Sequence, residues 1–178
     1  MKKLLVTLAA VLVSVSTFGQ GTILFNNRVT GQVDAPVSRP DGTGAGAGVN
    51  AQLFLSSGGT FTALTPATTF RSTSAAAAFY VTQPASPVVV PGVGAGQQAT
   101  VVLRAWEGAV GSTYESSLLS GQSAPITITL GGVPNVGAPI PDAVLTGLAA
   151  FSMVAVPEPS TMALGLLGAA ALLYRRRK

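Results

Sequence analysis

Apolar residues form two long runs near the ends of this chain and short, often alternating runs between them. Residues 4–13 make the first long run, broken only by Thr7, and Met162 to Tyr174 make the second. Between them, Ile23, Phe25, Asn27 and Val29 alternate with Leu24, Asn26 and Arg28, which predicts a first strand. A loop is expected over 33–48, where Asp34, Pro36, Pro40 and Asp41-Gly42 precede the flexible stretch 44–48. Residues 51–55 and 60–64 flank Ser56-Ser57-Gly58-Gly59, the pattern of a hairpin. For 76–82 the run of alanines suits the start of a helix, but Phe79-Tyr80-Val81-Thr82 favours a strand.

The clearest pair follows. Residues 88–90 lead through Pro91-Gly92-Val93-Gly94-Ala95-Gly96 into 99–107. On that second strand Val101, Leu103 and Ala105 share one face with Glu107, while Thr100, Val102, Arg104 and Trp106 share the other. One short helical turn is expected over 114–119. Ile126, Ile128 and Leu130 alternate with Thr127 and Thr129, a half-buried strand, and a last strand is expected around 148–154. Seven or eight short strands with Gly-rich turns predict an all-β body. The expected architecture is a single antiparallel β-sandwich, Ig-like or jelly-roll-like, flanked by an N-terminal signal helix and a short C-terminal transmembrane helix.

The terminal runs read as transport instructions. Met1-Lys2-Lys3, the apolar run and the small residues up to Gly19 have the layout of a signal peptide over 1–19, cut close to Gly19 or Gln20. An uncleaved N-terminal anchor is the alternative. The body is then 20–155, and the tail 156–178. Pro157 and Pro159 keep the chain out of a helix up to Ser160, a good N-cap. Glu158 stands just ahead of that helix start, where the helix dipole favours negative charge. The expected transmembrane helix 161–174 rises roughly 21 Å, against about 30 Å of bilayer hydrocarbon, so the span closes by snorkelling or local thinning. The basic cluster Arg175, Arg176, Arg177 and Lys178 is expected to stop on the cytoplasmic side.

Val156-Pro157-Glu158-Pro159-Ser160-Thr161, the apolar helix and the basic residues 175–178 together resemble the PEP-CTERM sorting signal of Gram-negative bacteria. The resemblance covers about one eighth of the chain. It implies that a membrane enzyme, an exosortase, recognises the Pro-Glu-Pro motif and processes the tail, and that the protein works at the cell surface or in exopolysaccharide production. An ordinary C-terminal anchor preceded by a chance Pro-Glu-Pro is the plainer alternative.

Charge and composition narrow the body's chemistry. Six of the ten Lys and Arg lie in the two tails. The body keeps Arg28, Arg39, Arg71 and Arg104 against Asp34, Asp41, Glu107, Glu115 and Asp142, a net charge of −1. The basic character of the whole chain therefore belongs to its targeting segments, and no nucleic-acid partner is expected. The chain has no Cys and no His, and the body no Lys. That closes thiol and zinc chemistry and the Ser-His and Ser-Lys routes to a nucleophile. The glycines of 42–48 lack the Lys of a phosphate loop.

What remains is thin. Glu107 and Glu115 bracket one loop, so a glycosidase-like carboxylate pair has to be weighed against two solvated charges. Asp34 and Asp41 share a loop and offer Ca²⁺ too few oxygens, so no metal and no cofactor is expected. Trp106 and Arg104 with nearby Tyr114 offer an aromatic platform for a sugar, or else Trp106 packs inward with Arg104 on its rim. The expected protein is exported and non-catalytic, structural or adhesive, at the surface or in the extracellular matrix of a Gram-negative bacterium after an inner-membrane intermediate. A carbohydrate-binding module is the alternative. Its expected partners are the export machinery, the membrane and an exosortase-like enzyme, with exopolysaccharide a further candidate.

Overall fold

A computed structural model describes residues 19–156 other than Val110, together with Leu167. The signal segment before Gly19, the Pro157–Ser160 motif, the basic cluster 175–178 and the expected span 161–174 apart from Leu167 lie outside the described residues. Among the described residues, no helix is long and apolar enough to cross a membrane.

The body is mostly β. Its strands are β1 (Gln20–Ile23), β2 (Arg28–Val29), β3 (Val33–Asp34), β4 (Val37–Ser38), β5 (Val49–Ser57), β6 (Thr60–Ala63) and β7 (Thr68–Thr69). They continue as β8 (Val88–Gly94), β9 (Gln98–Glu107), β10 (Leu119–Gln122), β11 (Ile126–Thr129), β12 (Phe151–Ser152) and β13 (Val154–Ala155). A seven-stranded sheet runs in the order β13-β10-β9-β5-β6, with β11 also on β9 and β7 also on β5. Three two-stranded sheets accompany it: β1 with β8, β2 with β3, and β4 with β12.

The expected hairpin forms, with a shorter turn because β5 runs on through Ser56 and Ser57. β5 and β6 pair from Phe54↔Ala63 to Ser57↔Thr60, and Gly58 and Gly59 between them hold φ of 56° and 84°. Both central turn residues are left-handed, which glycine alone adopts without strain. The Ile-Thr alternation also holds: Ile126 and Ile128 are buried, Thr127 and Thr129 exposed.

Four expectations are corrected. The alternation from Ile23 to Val29 is not one strand, because the asparagines turn their side chains on the backbone. Asn26 Oδ1 accepts the Arg28 N–H at 3.1 Å, and the buried Asn27 bonds to three distant peptide groups. Residues 77–79 form a 3-10 turn rather than a strand, since the Ser74 carbonyl and hydroxyl both accept the Ala77 N–H. The proposed 88–90 and 99–107 pair does not exist. One edge of β9 is filled by β5 and the other by β10 and β11, so β8 pairs with β1 instead. Finally, the pairing is not wholly antiparallel: β12 lies parallel to β4, with Phe151↔Val37 and Ser152↔Ser38.

One apolar core ties these sheets together. Val49, Ala51 and Leu53 of β5 and Val101, Leu103 and Ala105 of β9 point into it, as do Ile23 of β1, Val88 and Val90 of β8, and Met153. The glycine-rich return 94–97 runs from β8 to β9: Ala95 N–H bonds to the Gly19 carbonyl at 2.8 Å and Gly96 N–H to the Leu130 carbonyl at 2.9 Å.

Candidate functional site

The outward face of β9 is also covered, and Arg104 sits at its centre. Cross-strand register sets Asn50 opposite Trp106, Gln52 opposite Arg104 and Phe54 opposite Val102. On the other edge, Ser120 faces Trp106 and Gln122 faces Arg104. The guanidinium lies over three rings, Phe61 at 4.2 Å, Tyr114 at 4.5 Å and Phe54 at 4.6 Å. Its Nε donates to Gln122 Oε1 at 3.2 Å and one terminal nitrogen to Glu115 Oε1 at 3.4 Å. Because Glu115 is largely exposed, that ion pair is screened and adds little. Stacking and packing of a flat, weakly hydrated cation dominate here.

Trp106, Arg104 and Tyr114 are thus brought together, though not as an open platform. Trp106 is 4% exposed and Arg104 8%. The indole meets Tyr114 edge-on, with centroids 6.3 Å apart, and its Nε1 donates to the Ser112 carbonyl at 3.0 Å. Beside it lies a depression of about 340 Å³ lined by Asn50, Gln52, Thr68, Thr69 and Ser112. The rings of Phe54 and Phe61 were invisible as members of this cluster. They enter through the β5–β9 and β5–β6 register, which alternation along one strand does not specify.

The carboxylates are dispersed into structural duties. Glu107 bonds to Arg39 at 2.7 Å, and Glu115 to Arg104. Asp142 accepts from the Thr22 hydroxyl, joining the segment after β11 to β1. Asp41 closes its own turn by accepting the N–H and hydroxyl of Thr43, which lower its pKa. Asp34 instead accepts the Tyr80 hydroxyl at 2.9 Å. Among the described residues no group of three acidic side chains gathers in one place.

The Tyr80–Asp34 bond makes a testable pH signature. The hydrogen bond to Asp34 raises the Tyr80 pKa, burial adds to this, and Arg28 above the ring partly opposes it. A raised folded pKa means the contribution is intact below the ordinary tyrosine value of about 10. It is lost as pH climbs through the folded value. Tyr80→Phe is expected to lower the melting temperature at neutral pH. The gap to the parent should close above about pH 10. Thermal melts across that range check this; a gap independent of pH sinks the assignment.

The last described segment is held on both sides. β12 lies along β4, Met153 is buried, and β13 pairs with β10 through Leu119↔Ala155 and Ser120↔Val154. Val156 extends this ladder by one residue, its N–H donating to the Leu118 carbonyl at 2.7 Å. A family model for the PEP-CTERM protein-sorting motif matches residues 155–178, starting inside β13. The chain carries a PEP-CTERM sorting motif. No curated protein and no solved structure matches the chain.

The PEP-CTERM motif supports export, a membrane-anchored intermediate and processing by exosortase-like machinery. It also joins two facts that the sequence kept apart. Ala155 belongs both to the matched motif and to the closing strand of the body, so the motif follows the folded sheet without a linker.

Proposed function

We propose that this is a non-catalytic structural or adhesive protein, exported by its N-terminal signal peptide and delivered by its tail to the surface or extracellular matrix of a Gram-negative bacterium. The observation that carries this reading is the match of the sorting motif to residues 155–178, running directly out of a β body. The dispersal of the carboxylates into ion pairs, a turn and bonds to single hydroxyls supports a non-catalytic reading. The body is a β-sandwich in this reading, with the Val101-Leu103-Ala105 face of the large sheet packed towards β1 and β8, all of which contribute to one core. Burial of Trp106 and Arg104 favours a packing role for that cluster over sugar binding. Exopolysaccharide is the candidate partner at the destination.

Replacing Glu158 with Ala is expected to leave the protein as an unprocessed membrane precursor. Intact-mass analysis of protein recovered from its native cells reads this directly. Processing at the parental rate would remove the sorting role of the Pro-Glu-Pro motif.

A further inference from the structure

The end of the body from which the tail departs carries an apolar patch. Leu118 is 57% exposed, Val154 60% and Val156 44%. Strand register gathers them. Ser120 pairs with Val154 and Leu119 with Ala155, and the bond from Val156 to the Leu118 carbonyl sets Leu118 opposite Val156. Residues two apart on a strand share a face, so Val154 stands on the same side as Val156. β13 is the outermost strand of its sheet, so among the described residues no further strand shields this edge.

The chain beyond the patch says what covers it. Five residues, 157–161, separate Val156 from the apolar run that starts at Met162. Fully extended, they span at most about 18 Å. With that run in the bilayer, the patch is held within this distance of the lipid. We propose that Leu118, Val154 and Val156 form a membrane-contact surface, on which the body rests against the lipid interface while the tail anchors it. This rests on the reading of 161–174 as a membrane span.

The contact is apolar rather than electrostatic. The nearby Glu107 is an anion paired with Arg39, and Arg104 is enclosed by its rings. Three side chains are too few to recruit a free body to a membrane. A short tether changes that, because it raises the local concentration of the second site to about the millimolar range. The surface therefore acts in the anchored precursor and lets go once the tail is severed.

The test uses the chain as it stands after signal-peptide removal, from Gln20 to Lys178, in phosphatidylcholine vesicles whose lipids carry a shallow fluorescence quencher. Because the chain has no Cys, Ser116→Cys places a single fluorophore beside the patch, and Thr62→Cys places one on β6, at the opposite edge of the sheet. Insertion of the tail is scored separately, by resistance to alkaline extraction. The expected result is several-fold stronger quenching at 116 than at 62, unchanged by added anionic lipid. Adding Leu118→Ser and Val156→Ser should bring position 116 down to the level of 62, with extraction resistance intact. Equal quenching at the two positions in extraction-resistant protein overturns the proposal and leaves the anchor standing. Quenching that requires anionic lipid also overturns it. Protein released by alkali overturns the anchor reading, and the contact surface with it.

Discussion

Asn27→Leu is expected to destabilise the body by about 3–5 kcal/mol. Asn27 is fully buried, and its amide joins three segments. Nδ2 donates to the Ala35 carbonyl at 2.7 Å and to the Phe79 carbonyl at 3.1 Å, while Oδ1 accepts the Val81 N–H at 2.9 Å. Leucine has the same branching and a larger volume, so the effect is not a cavity. It comes from leaving the buried Ala35 carbonyl and Val81 N–H, each costing about 1–3 kcal/mol, and the half-buried Phe79 carbonyl, costing less, without partners. Asn27→Asp should be no better, because it keeps the acceptor but turns a negative oxygen on two carbonyls. Urea unfolding followed by circular dichroism measures both. A loss below about 1 kcal/mol for Asn27→Leu would show that these groups find other partners or water.

Arg104→Ala should cost about 2–4 kcal/mol, through the void it opens between Phe54, Phe61 and Tyr114. Arg104→Met is the informative companion. It refills much of the space without burying a charge, and replacing a buried ion by an apolar side chain of similar size is often neutral or stabilising. Arg104→Lys keeps the charge but loses the flat stacking surface and should fall between the two. Unfolding monitored by the fluorescence of Trp106, the only tryptophan, reports on this cluster directly. If Met proves as harmful as Ala, cation–ring attraction rather than volume holds the cluster.

The sequence announces features that are local and leaves unsaid those that depend on competition for a partner. Gly58-Gly59 is legible as a turn because its two left-handed φ values exclude most other residues. The Ile-Thr alternation of β11 is legible because one face is buried and the other wet. On β9, alternation separates Val101-Leu103-Ala105 from Val102-Arg104-Trp106, yet both sets are buried. The pattern assigns the faces and is silent on what covers the second. β8 looks like the natural neighbour of β9 because it comes just before it. Pairing was decided instead by which edges were free: one edge of β9 was taken by the distant β5 and the other by β10 and β11, which follow it. The break at Asn26-Asn27 is a case of polar side chains satisfying backbone groups in place of a ladder.

Of the candidate site, Trp106 and Arg104 were placed together by the strand period, and Tyr114 by its nearness along the chain. Phe54 and Phe61 enter the cluster only through the register of β5 with its neighbours. The tail was readable from its own motif, but nothing in it told how the motif meets the body. That junction is set by backbone bonds to β10, which carry no residue code.

The parallel pairing of Phe151 with Val37 has a consequence for the order of events during export. A protein threaded across a membrane from its N-terminus presents Val37 outside long before residue 151 arrives. The contact between β4 and β12 bridges more than a hundred residues, as the Ser152–Ser38 separation of 114 shows. Until translocation is nearly finished, the core lacks Met153 and β4 and β10 lack their last partners. On that threading order, closure of the fold waits for its most non-local contacts, the kind that slow folding. The segment that completes the body is the one that hands over to the tail, so arrival of the sorting signal and completion of the fold coincide.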